Sequence, residues 1–96
     1  MYFVYLLASR KHGTLYIGVT NDLRRRMEEH CAGQGAEFTR KHAVYRLVYF
    51  KPHERIDGAI AREKQLKGWN RAWKIRLVER SNPEWEDVGT DIPLDA

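Results

Sequence analysis

The stretch Leu15 to His30, LYIGVTNDLRRRMEEH, decides how this chain is read. Leu15 to Val19 is rich in strand-forming residues, and Thr20-Asn21-Asp22 supplies short polar side chains that can accept a bond from an open N–H of a first helical turn. The residues that follow predict a helix from about Leu23 to Cys31. At about 100° per residue, Asp22, Arg26 and His30 share one face of it, with Leu23, Met27 and Cys31 as the adjacent apolar stripe. Arg26 and His30 are thereby expected where buried surface meets exposed surface, with Arg25 turned away. Cys31 is read as a small buried apolar residue.

Working outward, Tyr2 to Ala8 (YFVYLLA) is apolar on both faces of a strand and therefore predicts a central position in its sheet. A short loop, Ser9 to Gly13, with its glycine at the end, lies between it and the next strand, which suits an antiparallel hairpin. After the helix, Gly33 and Gly35 supply bends, and Val44 to Phe50 predicts a third strand stopped by Pro52. A helix over 54–67 follows, with Ile56, Ala59, Ile60, Glu63 and Leu66 inward and Gly68 ending it. A last helix spans about Asn70 to Arg80, with Trp73, Leu77 and Val78 as core candidates. Together these predict an α/β (α+β) domain over 1–80: a small three-stranded antiparallel sheet flanked by helices. Residues 81–96 are expected to form an extended or mobile acidic tail.

The 96 residues carry one cysteine, which excludes an internal disulfide framework and a cysteine-rich zinc site. The longest apolar run, Met1 to Ala8, is far shorter than the roughly 20 residues of a membrane span. A soluble, cytoplasmic protein is the expectation, as a monomer or weak homodimer. The formal charge of +4 hides an asymmetry. Residues 1–80 hold all 17 Lys and Arg against eight acids, whereas residues 81–96 hold five acids and no basic residue. A basic compact domain implies a polyanion, most often nucleic acid. Arg24, Arg25, Arg40, Lys41, Lys67, Arg71 and Lys74 are the candidates for holding its phosphates, with Arg10, Lys11 and His12 beside them. The acidic tail could compete for the same face. Trp69 and Trp73 are read as core, with stacking on an unpaired base as the alternative.

Glu63 does not fit an apolar stripe. Between Ile60 and Leu66 its carboxylate must be paired, for example with Arg26 or Arg71, or serve as a metal ligand. Spacing alone leaves both readings open.

The ordered set Tyr5, Tyr16, Gly18, Arg26, His30 and Glu63 resembles the GIY-YIG nuclease superfamily, named for two tripeptides on adjacent strands. Here these are Phe3-Val4-Tyr5 and Tyr16-Ile17-Gly18; Phe3 replaces the glycine of the first. The segment from Gly33 to Arg40 and the run from Arg62 to Trp69 look like the small stand-alone bacterial branch. Asn82 is similar to a polar position found in some members. Several family nucleases carry a lysine directly after the second motif, where this chain has Val19.

The resemblance implies a metal-dependent endonuclease that hydrolyses phosphodiester bonds, in DNA ahead of RNA, selecting by shape and serving repair or recombination. It implies Glu63 as the ligand of Mg²⁺ or another divalent cation and Arg26 as the group that neutralises phosphoryl charge. Tyr16 becomes the proton acceptor, Tyr5 the residue that positions water or phosphate, and His30 a partner of Tyr16 in proton transfer. Gly18 lets the backbone turn tightly or approach a phosphate. Tyrosine, with a pKa of about 10, needs positive charge nearby for that role. The missing lysine supports the rival reading, a non-catalytic DNA- or RNA-binding module on the same fold.

Overall fold

The computed structural model describes residues 1–34 and 37–93. Gly35, one of the predicted bends, and positions 94–96 of the acidic tail lie outside the described residues. The elements run β1 (Tyr2–Ala8), β2 (Leu15–Thr20), α1 (Leu23–Cys31), α2 (Glu37–Lys41), β3 (Arg46–His53), α3 (Ile56–Gly68) and α4 (Arg71–Ser81), then a short 3₁₀ turn, Gly89–Asp91. The sheet is antiparallel throughout, in the order β2-β1-β3. Among the described residues no helix is long and apolar enough to cross a membrane.

The unbroken apolar run of β1 is explained by its central place, since side chains alternate across a strand and both faces are covered. Val4, Leu6 and Ala8 face a core shared with Ala59 and Leu66 of α3, Leu77 and Val78 of α4, and Trp85. Phe3, Tyr5 and Leu7 face a second core with Leu23 of α1, Val44, Leu47 and Ile92. β3 takes an extra residue where Leu6 pairs with Tyr49 but Leu7 pairs with Leu47, so Val48 forms the irregularity.

Local chemistry sets the helix ends. Asp22 accepts the Arg25 amide at 3.1 Å and caps α1, while Thr20 Oγ1 accepts the Asp22 amide at 3.1 Å. Gly33, at φ +79°, closes the other end in the left-handed conformation. Its amide then donates to His30 O, and that of Gln34 to Glu29 O. Asn70 caps α4 by accepting the Trp73 amide at 2.9 Å.

Several expectations are corrected. β3 continues through Pro52 because β3 is an edge strand, where a missing donor leaves no ladder bond broken. It begins at Arg46; Val44 is buried ahead of it, donating its amide to Thr39 O. Ile56 is half exposed in the first turn of α3, and Trp73 is also 50% exposed, so neither belongs to the core. Cys31 is exposed, as the last residue of α1.

The tail expectation is corrected most. Residues 82–93 fold back over the domain rather than running free. Trp85 is fully buried despite a left-handed backbone (φ +58°), which costs a non-glycine residue about 1–2 kcal/mol. Its indole N–H donates to Glu79 at 2.8 Å, its carbonyl accepts from Arg46 at 3.1 Å, and the His12 ring meets it edge-on. Ile92 closes the opposite core, its carbonyl held at 3.0 Å by Arg24.

Candidate active site

β1, β2 and α1 bring three rings together. Antiparallel pairing sets Tyr5 opposite Gly18 and Leu7 opposite Tyr16, so both tyrosines project from the same face. Their ring centroids lie 6.4 Å apart, and the His30 ring meets each edge-on, at 6.1 Å from Tyr5 and 5.8 Å from Tyr16. Gly18 creates the space. A Cβ there would stand 2.5 Å from the Tyr5 hydroxyl oxygen, so the ring of Tyr5 occupies the room that any other residue would fill. Gly18 is buried under that ring, so its lack of a side chain serves the packing of Tyr5.

His30 is buried, not at the margin where sequence spacing set it. The Tyr5 hydroxyl and His30 Nε2 share a hydrogen bond of 3.3 Å, and His30 Nδ1 meets Thr39 Oγ1 of α2 at 3.1 Å. The expected partner of His30 was Tyr16; the bond goes to Tyr5, and Tyr16 makes ring contact only. Burial, then the neighbouring Arg26 charge, push the His30 pKa below its ordinary value, so the ring is neutral around neutral pH. Burial also pushes the Tyr5 hydroxyl well above the usual phenol range, with Tyr16 beside it adding to the effect. Tyr5 therefore keeps its proton.

Thr39 was not singled out from sequence, although it lies in the segment Gly33 to Arg40. Phe38, next to it, stacks on Tyr16 at 6.1 Å. Tyr16 lines an open cleft of about 280 Å³ together with Phe38, Lys67 and Lys74. Arg26, partly exposed, pairs with Glu29 at 3.6 Å, and its charge reaches both Tyr5 and His30. Glu63 acts on Tyr5 from α3 as well. Its carboxylate is 17% exposed and meets Lys67 at 3.5 Å, so the ion pair is made with neither Arg26 nor Arg71.

The remaining candidates divide. Arg24 is spent on the carbonyls of Ile92 and Pro93, and Arg71 donates to those of His12 and Gly13 in the hairpin loop. Lys11 pairs with Glu84 and His12 with Glu79. Arg25 is exposed beside Glu29 at 3.5 Å; Arg40 and Lys41 are exposed on α2. Asn82 is buried, donating to the carbonyls of Val48 and Glu86 and accepting the Glu86 amide. Its amide group is committed to anchoring the C-terminal segment.

Two adjacent strands presenting a tyrosine each, an arginine and a histidine from the next helix, and a half-buried glutamate from a later one define a nuclease-type domain. The GIY-YIG catalytic domain model matches residues 1–76, and the chain belongs to this family. It is similar to a UPF0213 protein of Haloquadratum walsbyi, 35% identical over 95% of this chain and 92% of that one. A UPF0213 protein of Staphylococcus aureus is 36% identical over 81% of this chain and 94% of its own. The solution NMR structure of the UPF0213 protein BH0048 from Bacillus halodurans has a TM-score of 0.57 at 32% identity, covering 92% of this chain and 94% of that one.

Proposed function

We propose that this protein is a metal-dependent endonuclease that hydrolyses phosphodiester bonds in DNA, selects its substrate by structure and serves repair or recombination. The observation that carries the reading is the convergence of Tyr5, Tyr16, Arg26, His30 and Glu63, drawn from four elements, beside an open basic cleft.

A divalent cation fits the donor set in one way. Among the described residues no three His, Cys, Asp or Glu side chains form a cage. Glu63 is a largely buried carboxylate near Tyr5, and Mg²⁺ is commonly bound through one or two carboxylates, with waters and substrate phosphate completing its shell. When bound, the ion would polarise the phosphate and stabilise the leaving oxygen.

The chain's own residues supply the rest. Tyr16 accepts the proton of the attacking water as the new P–O bond forms and the bond to the leaving oxygen breaks. Lys67 and Lys74 line the cleft with Tyr16, where their ammonium groups can meet the phosphates of a bound strand. Arg26 neutralises charge on the phosphoryl oxygens through a planar fork. Tyr5 stays protonated and positions, rather than removes, a proton; neutral His30 ties it to Thr39 and fixes its orientation. The exposed thiol of Cys31 suits a reducing, cytoplasmic setting.

A cleavage assay tests this. Labelled single-stranded, duplex, nicked and branched DNA, and one RNA, are incubated with Mg²⁺ and with wild type or Glu63→Gln. Wild type cuts DNA, and the variant loses at least about a hundredfold in rate. Mg²⁺ raises the thermal midpoint of wild type and not of Glu63→Gln. No cutting of any substrate, with equal binding by both proteins, replaces this reading with the non-catalytic binding module.

A further inference from the structure

A second cleft, of about 290 Å³, lies along the outer side of the α3–α4 pair and is lined by Arg62, Trp69, Trp73, Arg76, Leu77 and Arg80. It shares no lining residue with the Tyr16 cleft, and the activity proposed above uses none of its side chains. On α4, Trp73, Arg76, Leu77 and Arg80 recur at helical spacing, so a single stripe carries one indole and two guanidinium groups. Leu77 is the buried floor, while Trp73 and both arginines are exposed.

The charge of this cleft is uncompensated. Among the described residues, Arg62, Arg76 and Arg80 have no carboxylate within 4.0 Å, unlike Arg25, Arg26 and Arg55. Arg62 instead covers the Trp69 ring at 4.9 Å and donates to Gln65 Oε1 at 2.6 Å. Trp69 meets Trp73 edge-on at 5.8 Å, so the two rings stand perpendicular. Trp69 is thus capped, and Trp73 is the half-exposed aromatic at the cleft.

We propose that this cleft binds an unpaired nucleic-acid strand, with a base stacked on Trp73 and phosphates held by Arg76, Arg80 and Arg62. A planar apolar ring beside guanidinium groups without carboxylate partners matches the alternation of flat base and anion along a single strand. A duplex keeps its bases paired inside and offers this surface phosphates alone, and an acidic peptide would leave the indole unmatched. The two clefts are neighbours in sequence: Arg62 lies next to Glu63, and Trp73 next to Lys74. A strand held here runs past the helices that carry Glu63 and the Tyr16 cleft.

The test is fluorescence anisotropy of labelled oligothymidylate, oligouridylate and a duplex, with chelator present so that nothing is cut. Wild type binds the single strands above the duplex, and the two oligonucleotides show whether DNA or RNA is held better. Trp73→Ala lowers single-strand affinity roughly five- to hundredfold and leaves duplex affinity unchanged; Trp73→Phe retains most of it. Arg76→Gln and Arg80→Gln each reduce the slope of log affinity against log salt by about 0.7. They also serve as the probe should Trp73→Ala fail to fold, which its thermal melt reports. The proposal is overturned by unchanged single-strand binding in the folded tryptophan variant, by equal losses on duplex and single strand, or by polyglutamate competing as well as oligothymidylate. Because the readout is binding without metal, loss or absence of cleavage in the Glu63 experiment leaves this outcome standing.

Discussion

The two faces of β1 are built from the same alternating run but do different work. Val4, Leu6 and Ala8 press on α3, α4 and Trp85 in a core with few polar atoms. Phe3, Tyr5 and Leu7 press on the α1 side, where a hydroxyl, an imidazole and a threonine are threaded through the packing. Buried polar groups demand partners at fixed distances, whereas apolar surfaces demand only volume. The first face therefore holds the domain together, and the second holds a hydrogen-bonded geometry in place.

That contrast can be broken most severely from the apolar side. Trp85→Ala removes the largest fully buried side chain and is expected to cost about 3–5 kcal/mol, read as a shift of the urea midpoint. For a chain of this size, with stability of roughly 5–15 kcal/mol, that is a large share of the total. A loss under about 1 kcal/mol would show that residues 82–93 are not part of the core.

Gly18→Ala strikes the polar face. Its Cβ would meet the rigid, buried ring of Tyr5 at under 3 Å, so ring or strand must move, at about 1–3 kcal/mol. The same shift pulls the Tyr5 hydroxyl from His30, so nucleolytic rate is expected to fall even where the variant remains folded. Unchanged rate with lowered stability would separate Tyr5 from the chemistry.

The smallest effect is in pH. His30 has its folded pKa lowered by burial, so the unfolded chain takes up a proton as pH falls through about 6.5 while the folded chain resists it. Stability accordingly falls toward acid, with a slope of at most about 1.4 kcal/mol per pH unit from this group. His30→Gln removes that contribution, and urea melts on either side of the window show a shallower decline. Equal slopes in both proteins would mean that the imidazole is not desolvated as its contacts indicate.

Much of the fold was legible in the chain. The double-sided apolar run made β1 central, the Thr-Asn-Asp cluster marked the start of α1 at Leu23, and Gly68 marked the end of α3. The spacing of Tyr5, Tyr16 and His30 anticipated that these residues lie close together, as their ring contacts show. What spacing does not carry is the identity of partners. His30 bonds Tyr5 rather than Tyr16, and Thr39 completes the chain of bonds from α2, a five-residue helix too short to declare itself in the sequence.

The sequence by itself determined the order and type of the main elements and the family. Periodicity and capping are local properties, written within one or two turns of backbone. Tertiary structure alone decided which aromatics are core. Trp73 is left half exposed at the end of the α3–α4 pair, while Trp85, in an acidic and proline-bearing segment, is fully buried. It also decided which arginines are free, because Arg24 and Arg71 spend their donors on carbonyls brought near by distant parts of the chain. Burial and partnership depend on what folds against a residue, and no window of sequence contains that.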